Sequence, residues 1–152
     1  MIDEAYKKMV LALPESFFEG WSWQAGDRAI IMDDRYKREV VVISSRNQIV
    51  SRKMVNLLFP DAFDESKTEE YVSRLRPIPS QKQLQDILLT YDHDNCGFMS
   101  ELQALFYWFN YWVKGENQMN GFRNEFSDLD QLWLAFAMHT LHGETWNGEN
   151  WI

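Results

Sequence analysis

The chain has 152 residues, a formal net charge of −8 at neutral pH, 45% hydrophobic and 15% aromatic residues, and one cysteine, Cys96. A single domain of this length buries roughly 70% of the surface its unfolded chain exposes, and a lone cysteine excludes an intramolecular disulfide. No apolar run approaches the roughly 20 residues a bilayer crossing needs, and the Met-Ile-Asp-Glu start shows neither basic leader nor apolar signal core, so a cytoplasmic location is expected.

Residues 3–13 (DEAYKKMVLAL) open with two acids, continue with good helix formers and stop at Pro14, which predicts a short helix with acids at its positive end. Phe17, Phe18, Trp21 and Trp23 lead to a turn at Gly26-Asp27. The β-branched runs Ala29–Met32 and Glu39–Ser44, with a weaker run near Gln48–Val50, predict a small antiparallel sheet or meander, and Arg76-Pro77-Ile78-Pro79 holds the chain extended. Ser80 and Gln83 form a capping box for a helix over about 81–91, with Leu84, Ile87, Leu88 and Tyr91 on one stripe. A helix near Ser100–Val113 is expected to end at Lys114-Gly115, and Ser127-Asp128 opens a last helix, roughly Leu129–Leu141. Its expected buried stripe is Leu129, Leu132, Trp133, Phe136 and Leu141, with Gly143 as the stop. The fold class that follows is α+β: a small antiparallel sheet in the first half packed against a helical second half. Residues 1–152 read as a single domain, with a sheet-containing part (1–79) and a helical acidic part (80–152).

The charge is unevenly placed. Residues 1–83 hold 13 Asp and Glu against 13 Lys and Arg, whereas residues 84–152 hold 10 against Lys114 and Arg123 alone. The acidic half is rich in Trp, Tyr and Phe, so it reads as a folded acidic lobe and not as a solvated tail. Asp86, Asp92, Asp94, Glu101, Glu116, Glu125, Asp128 and Asp130 fall at its helix ends and loops and are the candidate acidic interaction surface. In the aromatic helix, Phe98, Leu102, Leu105, Phe106, Phe109, Trp112 and Val113 make one face, and Tyr107, Trp108 and Tyr111 make another. The apolar surface therefore wraps too far round for a helix covered on one side. The sheet of the first half, a partner protein or a second copy of the chain would cover the second face, whose aromatics form the candidate anchor.

Sites for chemistry are sparse. Asp92–Gln103 (DHDNCGFMSELQ) resembles a calcium loop at its first (Asp92), third (Asp94), sixth (Gly97) and eighth (Met99) positions, but Cys96 stands at the fifth and Gln103 where a bidentate Glu is needed. His139 and His142 share a helix face, and a zinc site would have to add His93 and Cys96 from a distant loop. No catalytic residue, metal ligand set or cofactor is assigned. An enzyme assembled around His93, His139 and His142 is one alternative. A nucleic-acid-binding module using the basic cluster Arg35, Lys37, Arg38, Arg46, Arg52 and Lys53 is another, although the overall acidity opposes direct nucleic-acid binding. The tail element W-N-G-E-N-W is expected to fold back and bury Trp146 and Trp151.

Two stretches carry a resemblance. Pro79, Gln81, Gln83, Leu84 and Gln85 match one element, and Leu129, Gln131, Leu132, Trp133, Leu134, Ala135, Phe136, Met138, Trp146, Gly148 and Trp151 match a second. Together they resemble small accessory proteins encoded by tailed phages and prophages of Firmicutes and related gut bacteria. The resemblance brings no catalytic residue. It implies a cytoplasmic protein in a host bacterial cell that binds a host protein, such as a CRISPR effector nuclease, and inhibits or modulates it. A homo-oligomer is compatible with the same reading.

Overall fold

A computed structural model describes residues 2–24, 26–32, 39–41, 73–90, 100–120 and 126–152. The chain forms two compact units: Met1–Asp3 with Leu13–Ile78, and Glu4–Ala12 with Pro79–Ile152. The fold class is α+β, with most of the helix in the second half. The first helix belongs to the second unit.

In the first unit, strands β1 (Arg28–Ile31), β2 (Glu39–Val41) and β3 (Leu75–Ile78) form an antiparallel sheet in the order β2-β1-β3. Ala29 stands opposite Val40 on one side and Pro77 on the other. Because Pro77 has no N–H to give, β3 suits an edge and β1 takes the centre. The third strand is thus the segment read as extended around Arg76-Pro77; the run near Gln48–Val50 lies outside the described residues, as does the end of the Glu39–Ser44 run. Ala29, Ile30 and Ile31 are all buried, so the central strand lacks the in-and-out alternation of a half-exposed sheet. The turn read at Gly26-Asp27 is present: Gly26 has φ +92°, and the Asp27 carboxylate accepts the Gln24 N–H at 2.8 Å. The four aromatics before it form a chain of edge-to-face contacts, Phe17 to Phe18, Phe18 to Trp21 and Trp21 to Trp23, with centroids 5.3, 6.0 and 6.4 Å apart.

Two charged clusters fasten this unit. Glu39 accepts the Ile2 N–H at 2.9 Å and the Arg28 Nε–H at 2.6 Å. Partial burial pushes its carboxyl pKa up, but these two hydrogen bonds and the Arg28 charge outweigh that and hold it below the ordinary glutamate range. Arg76, 8% exposed, donates to the Leu13 carbonyl at 2.7 Å, pairs with the Glu15 carboxylate and lies 5.3 Å from the centre of the Phe18 ring. Glu15 is 87% exposed, so water takes over when the ion pair is lost, whereas the Leu13 carbonyl would lose its buried donor. Replacing Arg76 by Met should therefore cost about 1–3 kcal/mol in urea unfolding, while Glu15→Gln should cost less than about 1 kcal/mol.

Among the described residues the second unit has four helices: α1 (Glu4–Leu11), α2 (Gln81–Leu89), α3 (Glu101–Asn120) and α4 (Leu129–His142). Ser80 and Gln83 form the expected capping box, with Gln83 N–H to Ser80 Oγ at 3.3 Å and Ser80 N–H to Gln83 Oε1 at 2.9 Å. Leu84 and Leu88 are buried and Ile87 half-buried. Tyr91 lies outside the described residues.

Helix α4 packs against α1, α2 and α3. Its buried residues are Gln131 and all of Trp133–Met138, with no single stripe. The expected stripe is corrected accordingly: Trp133 and Phe136 are buried, Leu132 and Leu141 are half-buried, and Leu129, 55% exposed, sits at the helix start beyond the packed section. A helix surrounded by three others buries whatever occupies its middle, so periodicity stops marking its inner side. The stop at Gly143 holds, in the left-handed conformation (φ +69°), with its N–H to the His139 carbonyl at 3.0 Å.

Against α4, α3 lays an aromatic seam. Phe106 and Phe109 meet Trp133, Phe109 and Trp112 meet Phe136, and Trp112 meets His139; the Phe109 and Trp133 rings stack at 3.9 Å, 3° from parallel. The contacts advance together along both sequences, so the two helices run in the same sense across the seam.

Helix α3 also corrects an expectation, because it continues through Lys114-Gly115 to Asn120. Gly115 is no stop: its φ is not positive, and a Cβ built there meets nothing within 4 Å. Gly115→Ala should stabilise the protein by about 0.5–1 kcal/mol in thermal or urea unfolding, the usual gain from replacing glycine within a helix.

Candidate interaction surface

The candidate surface begins with α3. Its N-terminus is closed by a second reciprocal pair, Gln103 N–H to Ser100 Oγ at 3.3 Å and Ser100 N–H to Gln103 Oε1 at 2.9 Å. Gln103, read as the failing last ligand of a calcium loop, is engaged as a helix cap. The signal was there to be found, since S-x-x-Q occurs at Ser100 as it does at Ser80. Asp92 and Asp94, with His93, Cys96 and Phe98, lie outside the described residues.

From this capped start, Ala104, Leu105, Phe109 and Trp112 turn inward. Tyr107 is 49% and Tyr111 62% exposed, with Trp108 half-buried between them at edge-to-face centroid distances of 5.5 and 5.9 Å. Leu102 and Phe106, read as part of the buried face, are exposed as well, although Phe106 sets its ring edge-to-face with Trp133 at 5.4 Å. Val113 is half-buried. The exposed apolar arc is thus broader than the tyrosine face, and Lys114 stands at its far end, three residues after Tyr111.

The candidate acids separate by what they already do. Asp86 is held by Lys82 one turn earlier in α2, Nζ to Oδ2 at 2.7 Å, so much of its field is cancelled locally. Glu101 is exposed in the first turn of α3, where the helix dipole favours a carboxylate. Glu116 lies on the α3 backbone, and Glu125 lies outside the described residues. Asp128 is the N-cap of α4, with Oδ1 accepting the Gln131 N–H at 2.8 Å. Asp130 is half-buried in the first turn of the same helix. The set is therefore not a uniform free surface. Glu149, exposed in the tail, is an acid the sequence reading passed over.

Other candidate chemistry stays dispersed. His139 is half-buried against Trp112 and His142 is exposed. Among the described residues, no group of three or more His, Cys, Asp and Glu side chains is placed to hold a metal ion. The whole basic cluster from Arg35 to Lys53 lies outside the described residues. No described helix is long and apolar enough to cross a membrane.

The two acids at opposite ends of this range should behave differently on substitution. Asp128→Ala should lower stability by about 1 kcal/mol through loss of the cap, and Glu101→Gln should stay within about 0.5 kcal/mol, as exposed substitutions usually do; chemical denaturation of both variants checks the ordering. No family model, curated protein or solved structure matches the chain.

Proposed function

We propose that this chain is a phage-encoded accessory protein that works by binding, and that its target is a host protein whose own ligand is nucleic acid, such as a CRISPR effector nuclease. The observation that carries the reading is the imbalance in residues 84–152, ten carboxylates against Lys114 and Arg123, on a segment that also exposes Tyr107 and Tyr111. Carboxylates on a folded surface attract a groove lined with lysine and arginine, which speeds and orients encounter, and the tyrosines then supply contact area that a charge alone does not. Inhibition follows if the occupied groove is the one that holds the nucleic-acid backbone.

Glu101 is the acid best suited to this work, because it is exposed and does not hold a helix end in the way Asp128 does. The test is capture of a partner from a host lysate at low and at high salt, followed by competition between this protein and nucleic acid for the isolated partner. Capture should weaken as salt rises, nucleic acid should be displaced, and Glu101→Lys with Tyr111→Ala should weaken the complex by tenfold or more, about 1.4 kcal/mol. A partner that binds no nucleic acid, or a complex indifferent to both substitutions, defeats the proposal.

A further inference from the structure

The C-terminal segment begins where Gly143 ends α4, and it folds on itself. The Thr145 N–H donates to the Ile152 carbonyl at 2.8 Å and the Ile152 N–H returns to the Thr145 carbonyl at 3.0 Å, which brings Trp146 and Trp151 opposite each other with ring centroids 5.0 Å apart. The turn between them is closed by Asn147, whose Oδ1 accepts the N–H groups of Glu149 and Asn150 at 2.9 and 2.8 Å, and Gly148 takes the positive φ of +95° that the turn requires. Trp146 is buried as expected. Trp151 is only half-buried, which corrects the expectation that both would be interior.

What Trp151 does instead is reach the first helix. The last four carbonyls of a helix have no partner within it. In α1 these begin with Lys8, whose oxygen takes the Ala12 N–H at 3.2 Å; the next, that of Met9, accepts the indole N–H of Trp151 at 3.2 Å, from 142 residues away. A second link runs the other way, from Lys8 Nζ to the Gly148 carbonyl at 2.8 Å. An isolated helix of eight residues is not stable in water, so α1 depends on what holds it. Its buried residues Tyr6, Met9 and Val10 provide the packing, and Tyr6 also donates to the Pro79 carbonyl at 2.6 Å.

We propose that residues 144–152 are a releasable clasp for α1, with the indole N–H of Trp151 as its catch and as the C-cap of that helix. Among the described residues the clasp's polar links to α1 are two hydrogen bonds, one of them made by the exposed Lys8, and its catch Trp151 is only half-buried, so the Trp151 end opens at less cost than the packed α2, α3 and α4 while Trp146 stays buried. Opening frays the last turn of α1.

The test is amide hydrogen exchange on the full chain carrying Trp151→Phe, which keeps an aromatic ring and removes the N–H. Exchange at Val10, Leu11 and Ala12 should quicken by about fivefold, the factor carried by one ordinary hydrogen bond, with α2 and α4 unchanged. Tryptic cleavage after Lys7 and Lys8 should quicken in step. Lys8→Met, at an exposed position, should produce a smaller acceleration of the same amides and provides the reading if Trp151→Phe does not fold. Unchanged α1 exchange in the folded variants would overturn the proposal, and so would an equal acceleration in α2 and α4, which would make Trp151 a general packing residue.

Discussion

The second unit rests on a constraint imposed by α4. A helix buried from Trp133 through Met138 has no polar side to offer, so it forms only if other segments arrive to enclose it. Three do, from positions scattered along the chain: α1 from the beginning, α2 from the middle and α3 from the segment just before it. The tightest element of that enclosure is the Phe109–Trp133 stack, around which Phe106 and Phe136 place their edges, with Trp112 tilted against Phe136. Edge-to-face and offset contacts of this kind add to the area the rings bury. They also fix the axial register of two helices that a smooth aliphatic surface would leave free to slide.

Enclosing α4 leaves its polar start to be satisfied inside the unit, and Gln131 does this. It is 1% exposed; its side chain donates to Ser127 Oγ at 2.7 Å and accepts the Ser127 N–H at 3.2 Å. Gln83 and Gln103 reach back in the same way at the starts of α2 and α3. Three helices of one unit thus carry glutamine as their third residue, where glutamate is the common alternative. Glutamine makes the hydrogen bond without adding charge, and at the buried Gln131 a carboxylate would carry a desolvation cost. The acidity of this half is consequently carried by positions other than these reciprocal glutamines.

Much of this was legible in the residues. The Ser80 box, the Gly143 stop, the Gly26-Asp27 turn and the α+β class each follow from short-range rules that tertiary contacts did not override. What failed did so for identifiable reasons. Gly115 looked like a terminus because glycine often ends helices, but that role requires a left-handed backbone, and α3 continues past it. Leu129 looked buried because the helical wheel assumes one inner side, which an enclosed helix lacks. The third strand hid in Leu75–Ile78, where an arginine and a proline mask strand character, and Arg76 is tolerated in the interior only because Leu13, Glu15 and Phe18 meet its guanidinium. For the candidate surface, the types of residue were readable, and Ser127-Asp128 already read as a helix start, but exposure was not: Leu102 and Phe106 share a face with the buried Leu105 and Phe109 in the sequence pattern and are exposed in the structure.

The link between Met9 and Trp151 has a consequence for the order in which the protein can be made. A chain leaving the ribosome presents α1 well before Trp151, with 142 positions between donor and acceptor. The strands of the first unit are all in hand once Ile78 has emerged, so that unit can close while synthesis continues. The second cannot. Its opening segment must wait, short and uncapped, until α4 and the residues that follow it have been translated, so Tyr6, Met9 and Val10 stay uncovered while everything between them and Trp151 is made.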